Sequence, residues 1–406
     1  MLNRRHFLRN TTLSAVGSLL IPSFLKAFER QTANNSLAEN DKILVIIQLS
    51  GGNDGLNTVV PFTNDLYYKA RPSLAIEASK VLKLNDDLGF NPAMAKMKML
   101  YDEGLVSVIN NVGYPNPDRS HFRSMDIWHT ASNADEYLST GWLGRYLDAQ
   151  CSGGECQSYT AIELDDSLSL AMKGNKIKAM ALLNPQKLYE STQVPFIKSL
   201  TKNITNATHQ SAEENISYLY KTLAETASSA EYIYNKSKIQ RTKSEYKGGE
   251  LANRLKTVAE LIISGVPTRV YYVALSGFDT HIRQAEKQEK LLENYSEAVY
   301  SFMQDMKANG LINKVLLMTF SEFGRRVAQN GSNGTDHGTA NNLFLIGNNL
   351  PKKGIYNKPP NLVDLDNGDL KYEIDFRNVY ATLLNKWLNV NDSSILGQKF
   401  EGLPIL

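Results

Sequence analysis

The chain has 406 residues, 42% hydrophobic and 21% charged, enough for a large buried core and too apolar for disorder to be the default. No internal stretch approaches the roughly 20 apolar residues that a membrane-spanning helix needs. Residues 1–30 hold five basic residues and one acidic residue, so without them 44 Lys+Arg and 42 Asp+Glu become 39 and 41, a formal charge of −2, which lacks the basic footprint of a nucleic-acid binder.

In chain order, "NRRHFLRN" followed by "TTLSAVGSLLIPSFL" resembles a twin-arginine export signal, with Arg4-Arg5, then Phe7-Leu8, then a short apolar region interrupted by Gly17 and Pro22. Residues 1–30 are accordingly set aside as a signal peptide, with a cut expected near Ala27. Residues 31–41 form a polar linker, and 42–406 form the folded domain. The implied location is periplasmic or extracellular, with the twin-arginine export machinery as a partner and no membrane span once the signal is removed.

The domain begins with "KILVIIQLSGGNDGLNT", an apolar, β-branched run ending at two glycines, as expected of a strand buried on both faces of a parallel sheet. Similar runs are "LVSVINNVG" at 105–113, "TRVYYVALSGFDTH" at 268–281 and "KVLLMTFSEFGRR" at 314–326, with "NLFLIG" at 342–347 as a fifth strand. Cys151 and Cys156 bracket "SGGE"; in an exported protein they either close a small disulfide loop or stay free, and they lack the companions of a zinc site. From about 195 to 262 the sequence is polar, weakly periodic and without a buried strand, which reads as a helical insertion or lid, mobile at "NKSKIQRTKSEYKGGE". Residues 282–308 carry Leu291, Leu292, Tyr295, Val299, Phe302, Met303 and Met306 at helical spacing. The tail "DFRNVYATLLNKWL" is an amphipathic helix capped by Asp375. Strands alternating with helices of this length give an α/β class: a doubly wound, mostly parallel sheet with helices on both faces.

Residues able to bind cations fall just past the ends of these runs. Asp54 follows the first, Ser120 and His121 follow the second after "GYPNPDR", Asp279 and His281 end the third, Glu322 ends the fourth, and Asp336-His337 precede the fifth. Ligands of open α/β sheets bind outside the carboxyl ends of the strands, so these residues are expected to share one site. Several carboxylates gathered there would repel unless something positive sat between them. Arg325 is one candidate; one or two divalent cations are the other, and mixed carboxylate and imidazole donors suit zinc, manganese or iron better than calcium. His337 is then a metal ligand delivered by a glycine-rich loop, with Asp336 either ligating or orienting an imidazole. Each residue also has a plainer reading. Asp54 fits a turn, "DTH" a helix N-cap, and Glu322 an ion pair with Arg325 or Arg326. His121 and His129, on a helix at 120–131, read as structural or substrate-facing rather than as ligands, and His6 and His209 lie away from the site.

The ordered set "LSGGNDGLN", "DRSHFRSMDIWHT", "GFDTH", "SEFGR" and "GTDHG", behind a twin-arginine leader, resembles the domain of unknown function 1501 family of secreted bacterial proteins over nearly the whole chain. That family is in turn similar to the alkaline phosphatase and sulfatase superfamily, which implies an alkaline-phosphatase-like α/β core with two metal ions and a Ser, Thr or modified Cys nucleophile. Carried over by position, the resemblance makes Asp54, Asp279, His281 and His337 metal ligands and Ser120 the nucleophile, with Ser124 as the fallback. It puts Glu322 where the superfamily has an Asp-His pair for its second metal. The sequence departs from the superfamily in spacing Asp279-Thr280-His281 where Asp-x-x-x-His is usual, and in Ser321-Glu322, which weakens the second site.

The resulting expectation is an exported metal-dependent hydrolase of phosphate or sulfate esters acting on a small-molecule or glycan ester, with Arg325 or Asn53 binding the non-bridging oxygens. A non-catalytic secreted protein that binds an envelope glycan or protein partner on the same scaffold is the alternative. A serine esterase built on Ser120, His281 and Asp279 is disfavoured because G-x-S-x-G is absent.

Overall fold

A computed structural model describes residues 42–151, 157–176, 179–204, 214–247 and 249–406. The leader, the linker and Cys156 lie outside the described residues, and so does the expected export signal; Cys151 is disulfide-bonded rather than free.

Nine strands form the main sheet: β1 (Ile43–Ser50), β2 (Val106–Gly113), β3 (Ala161–Glu163), β4 (Met180–Ala181), β5 (Val270–Ser276), β6 (Val315–Phe320), β7 (Asn341–Ile346), β8 (Gly354–Ile355) and β9 (Ile374–Asp375). Their order is β8-β2-β7-β6-β1-β5-β3-β4, with β9 also pairing β2. The centre is parallel, since β1 pairs β5 and β6 in parallel and β3 pairs β5 and β4 in parallel. β7 runs against both β6 and β2, which makes the sheet mixed rather than uniformly parallel.

Helices cover both faces because the strands are apolar on both. Along β1, Ile43, Val45, Ile47 and Leu49 enter one core while Leu44 and Ile46 enter the other, the period-2 alternation of a strand. The first core is closed by helices α1 (Ala95–Asp102), α5 (Gly249–Ile263) and α6 (Gln284–Ala308), and the second by α2 (His121–Thr130), α3 (Trp142–Gln150) and α7 (Phe376–Thr382). Between α3 and α5 runs the long helix α4 (Glu214–Ser237). Asp375 caps α7 as its position suggested, its carboxylate accepting from Arg377 N.

Within the polar segment 195–262 the described residues form the helices Pro195–Ile204, α4 and α5, and the last of these is not an appendage. α5 buries Leu251, Leu255, Val258, Leu261 and Ile262 against the sheet. Glu250, Asn253 and Lys256 lie on its outer face, which dilutes the average hydrophobicity that the sequence reading relied on.

Topology brings distant residues to one edge. The parallel strands β1, β5 and β6 end on the same side, and β2, antiparallel to the reversed β7, ends there too. The residues before β7 therefore sit beside the residues after the other four strands. Gly51, at φ +116° just past β1, leaves no room for a Cβ against the backbone of Asp279, so the turn after β5 can lie directly on the end of β1.

Candidate metal centre

Three short segments meet at this edge. His121 is the first residue of α2, Asp279 and His281 follow β5, and His337 lies in the loop before β7, joined to Arg325 by an isolated antiparallel bridge. Gly338 allows that bridge, because a Cβ there would press on the Arg325 backbone.

One carboxylate oxygen is the focus. Asp279 Oδ1 lies 3.0 Å from His281 Nε2, 3.2 Å from His337 Nε2 and 3.6 Å from His121 Nε2. The Nε2 atoms of His281 and His337 are 2.9 Å apart. Each imidazole is held from behind through Nδ1: His121 by Glu322 Oε1 at 2.9 Å, His281 by Asp336 Oδ1 at 3.1 Å, and His337 by the carbonyl of Arg119 at 2.8 Å. A proton on Nδ1 shared with an acceptor fixes the tautomer and turns the Nε2 lone pair inward. His121 Nε2 is buried with no hydrogen-bond partner. Inward lone pairs around a carboxylate, one of them orphaned, are the donor set of a divalent cation. Among the described residues, His121, Asp279 and His337 form the group whose ligand atoms all lie within 4.8 Å of one another; His281 adjoins it.

Asp279 stays ionised. Burial pushes its carboxyl up, but the hydrogen bond from Arg325, the neighbouring imidazole of His337 and the charge of Arg325 outweigh this and bring it to about 2. The hydrogen bond to Glu322 raises His121, burial lowers His337, and the Asn330 amide lowers Asp336.

The structure reassigns several residues proposed from sequence. Asp54 lies outside the group of His121, Asp279 and His337. It is fully enclosed, 2.5 Å from the guanidinium of buried Arg71, and it accepts from Leu56 N and the Gln284 amide. Asn53 is buried and spent on Thr58 and Gln288, so it binds no substrate oxygen. Arg325 is buried too, donating to the carbonyls of Gly51, Gly52, Phe278 and Thr335 and to Asp279 at 2.8 Å; it builds the site rather than grips an anion. Glu322 is enclosed, accepting from Gly51 N at 2.8 Å and facing His121, so it orients an imidazole instead of ligating. Asp336 takes the orienting option, toward His281. Ser124 is buried and bonded to Tyr114 and to the Asp118 carbonyl, which removes it as a nucleophile. Ser120 is exposed at the N-cap of α2, and its side chain makes no capping bond.

His121, read from sequence as structural or substrate-facing, stands in this cluster. Its signal was position: the first residue of a helix starting just past a strand end. His129, one face further along α2, is structural as expected, bonded to Gln48 and Tyr272, with burial lowering it to about 4.

The sequence profile described as "Protein of unknown function (DUF1501)" matches residues 41–397. The chain belongs to the DUF1501 family. No curated protein matches this DUF1501 chain. Among solved structures it is similar to a protein in the alkaline phosphatase superfamily from Vibrio parahaemolyticus, at 10% identity over 90% of this chain and 71% of that one, with a TM-score of 0.42. It is similar to the PsFucS1 sulfatase from Pseudoalteromonas sp., at 11% identity over 94% and 73% of the two chains, TM-score 0.41. A third is the C-terminal periplasmic domain of EcEptC from Escherichia coli in complex with Zn, at 13% identity over 77% and 74%, TM-score 0.39. Among the described residues of the DUF1501 chain, no helix is long and apolar enough to cross a membrane.

Proposed function

We propose that this DUF1501 protein is a metal-dependent hydrolase of phosphate or sulfate esters that works outside the cytoplasm after twin-arginine export. The observation that carries the reading is the convergence of imidazole Nε2 atoms on Asp279 with every Nδ1 tied back. His121, Asp279 and His337 would hold one divalent cation, with His281 beside them; a set rich in imidazole nitrogen favours zinc, manganese or iron over calcium. Such a cation, when bound, supplies Lewis acidity toward an ester oxygen, a hydroxyl or water.

The chain's own part is positioning. Asp279 brings the negative charge, Arg325 fixes that carboxylate, and Glu322, Asp336 and the Arg119 carbonyl set the imidazole orientations. The expected second metal set is spent elsewhere, Asp54 on Arg71 and Glu322 on His121, so the proposal is for one ion. Ser120, directly before His121 and exposed, is the candidate nucleophile. No base is hydrogen-bonded to its side chain among the described residues, which also argues against the Ser120, His281, Asp279 esterase. The same observation favours the second reading, a secreted binding protein in which the site holds its ligand without turnover.

Metal analysis of protein purified without chelator, together with phosphate and sulfate ester panels, tests the reading. Wild type should carry metal and turn over an ester, and both should disappear in Asp279→Ala and His337→Ala. Turnover that survives those changes and a chelator would falsify it. Metal lost in both variants, with no turnover by wild type, selects the binding protein. Ser120→Ala should stop turnover with metal retained; unchanged turnover moves the attack to water.

A further inference from the structure

A cavity of about 330 Å³ opens beside the imidazoles and is lined by Arg119, His281, Arg326, Asp336 and His337. Arg119 and Arg326 are permanently cationic, and both lean on one carboxylate, Asp369, which is completely buried beneath them. Asp336, the other acid on the wall, faces His281 and Asn330. Asp336 and Asp369 together balance the two guanidinium charges, but Asp369 lies beneath them and Asp336 is turned to His281 and Asn330, so the guanidinium groups keep donors free on the cavity side.

The two side chains are also half free. Arg119 is 46% exposed and, among the described residues, gives only Nη2 to Asp369. Arg326 is 39% exposed and uses Nε on Asp369 at 3.3 Å and Nη2 on the Asn367 carbonyl at 2.6 Å. The remaining N–H groups have no protein acceptor among the described residues. Guanidinium groups braced on one side by a buried anion lose little freedom when they bind on the other, and their planar forks match the oxygens of a tetrahedral oxyanion. Arg325, one residue away, is the contrast: it is fully buried with its donors spent on protein oxygens.

We propose that Arg119 and Arg326, braced by Asp369, form the arm that binds the phosphoryl or sulfuryl head group of the substrate. This rests on the hydrolase reading and identifies the residues that select its substrate. Arg119 has a separable second role, because its backbone carbonyl holds His337 Nδ1 at 2.8 Å. Truncating its side chain leaves that bond in place, so head-group binding and metal binding come apart.

The test is calorimetric titration of inorganic phosphate, and separately of inorganic sulfate, onto the full chain at low ionic strength, with metal content measured in parallel. Arg119→Ala and Arg326→Ala should each weaken phosphate binding about tenfold or more, through lost charge-assisted hydrogen bonds. Arg326→Lys should fall between, keeping the charge but not the fork, and metal content should equal wild type throughout. Phosphate binding equal in wild type and both alanine variants overturns the proposal, as does the failure of wild type to bind either anion. An Arg119→Ala chain that loses metal together with phosphate overturns it as well, since the side chain would then belong to the metal frame. Phosphate bound through the arginines by a chain that takes up no metal would support the arm and sink the hydrolase reading.

Discussion

Two acidic clusters lie at the same edge of the sheet. Around Asp54, the carboxylate pairs with Arg71 and accepts from Leu56 N and Gln284, all of it enclosed. Around Asp279, the carboxylate is 51% exposed and three imidazoles turn their Nε2 atoms toward it. In the first cluster the protein satisfies its own charges. In the second, His121 Nε2 is left without a hydrogen-bond partner while three imidazoles crowd one half-exposed carboxylate, and this separates the two acids better than the residue type does.

The comparison can be broken most sharply at Asp54. Asp54→Ala strands Arg71 in the interior, and loss of one partner of a buried pair costs about 3–5 kcal/mol; urea unfolding should show it, with metal per folded molecule unchanged. An Asp54→Ala chain of normal stability that has lost its metal would reverse the two assignments. Asp279→Ala and His337→Ala should do the opposite, abolishing metal binding while stability, measured in chelator, drops by less than in Asp54→Ala. Glu322→Gln tests the imidazole support: metal affinity, followed by competition with a chelator, should fall about 10–100-fold. Asp336→Asn should fall by less, because that acid is exposed.

A separate effect concerns burial without a countercharge in contact. Glu163 is 5% exposed and bonded only to Ser169, and burial lifts it from the ordinary 4.5 to about 7. The folded chain thus keeps a proton that the unfolded chain releases between those values, so stability falls as pH rises from about 4.5 to about 7 and is level above. Glu163→Gln should flatten that slope in unfolding measured across the same range, whereas an unaltered slope would place the titration elsewhere.

Much of this was legible in the sequence. Runs such as "KILVIIQLS" are apolar on both faces and have one sensible fate, and the order of strand ends follows from parallel pairing. His337, Asp279 and His281 were identified because they sit at those ends. What sequence could not distinguish was the direction of each side chain: Asp54 and Asp279 occupy equivalent places past β1 and β5, yet a partner 17 residues away, Arg71, claims the first. Arg325 and Arg326 are neighbours with opposite fates for the same reason, one turned into the turns of the sheet and one outward. His121 was undervalued because an aromatic-flanked helical histidine is ordinarily packing. The reversal of β7 was also hidden, since a six-residue apolar strand carries no mark of its direction.

Arg325 clasps the backbone oxygens of Gly51, Gly52, Phe278 and Thr335 in one hand. The ends of β1 and β5 and the loop that carries His337 are thereby fastened together by hydrogen bonds of the chain itself. If the proposed cation binds here, these bonds do not depend on it: a chelator-treated chain should keep its native circular dichroism spectrum. The resident element would then be set by which metals the surroundings offer, not by which one guided the chain into shape.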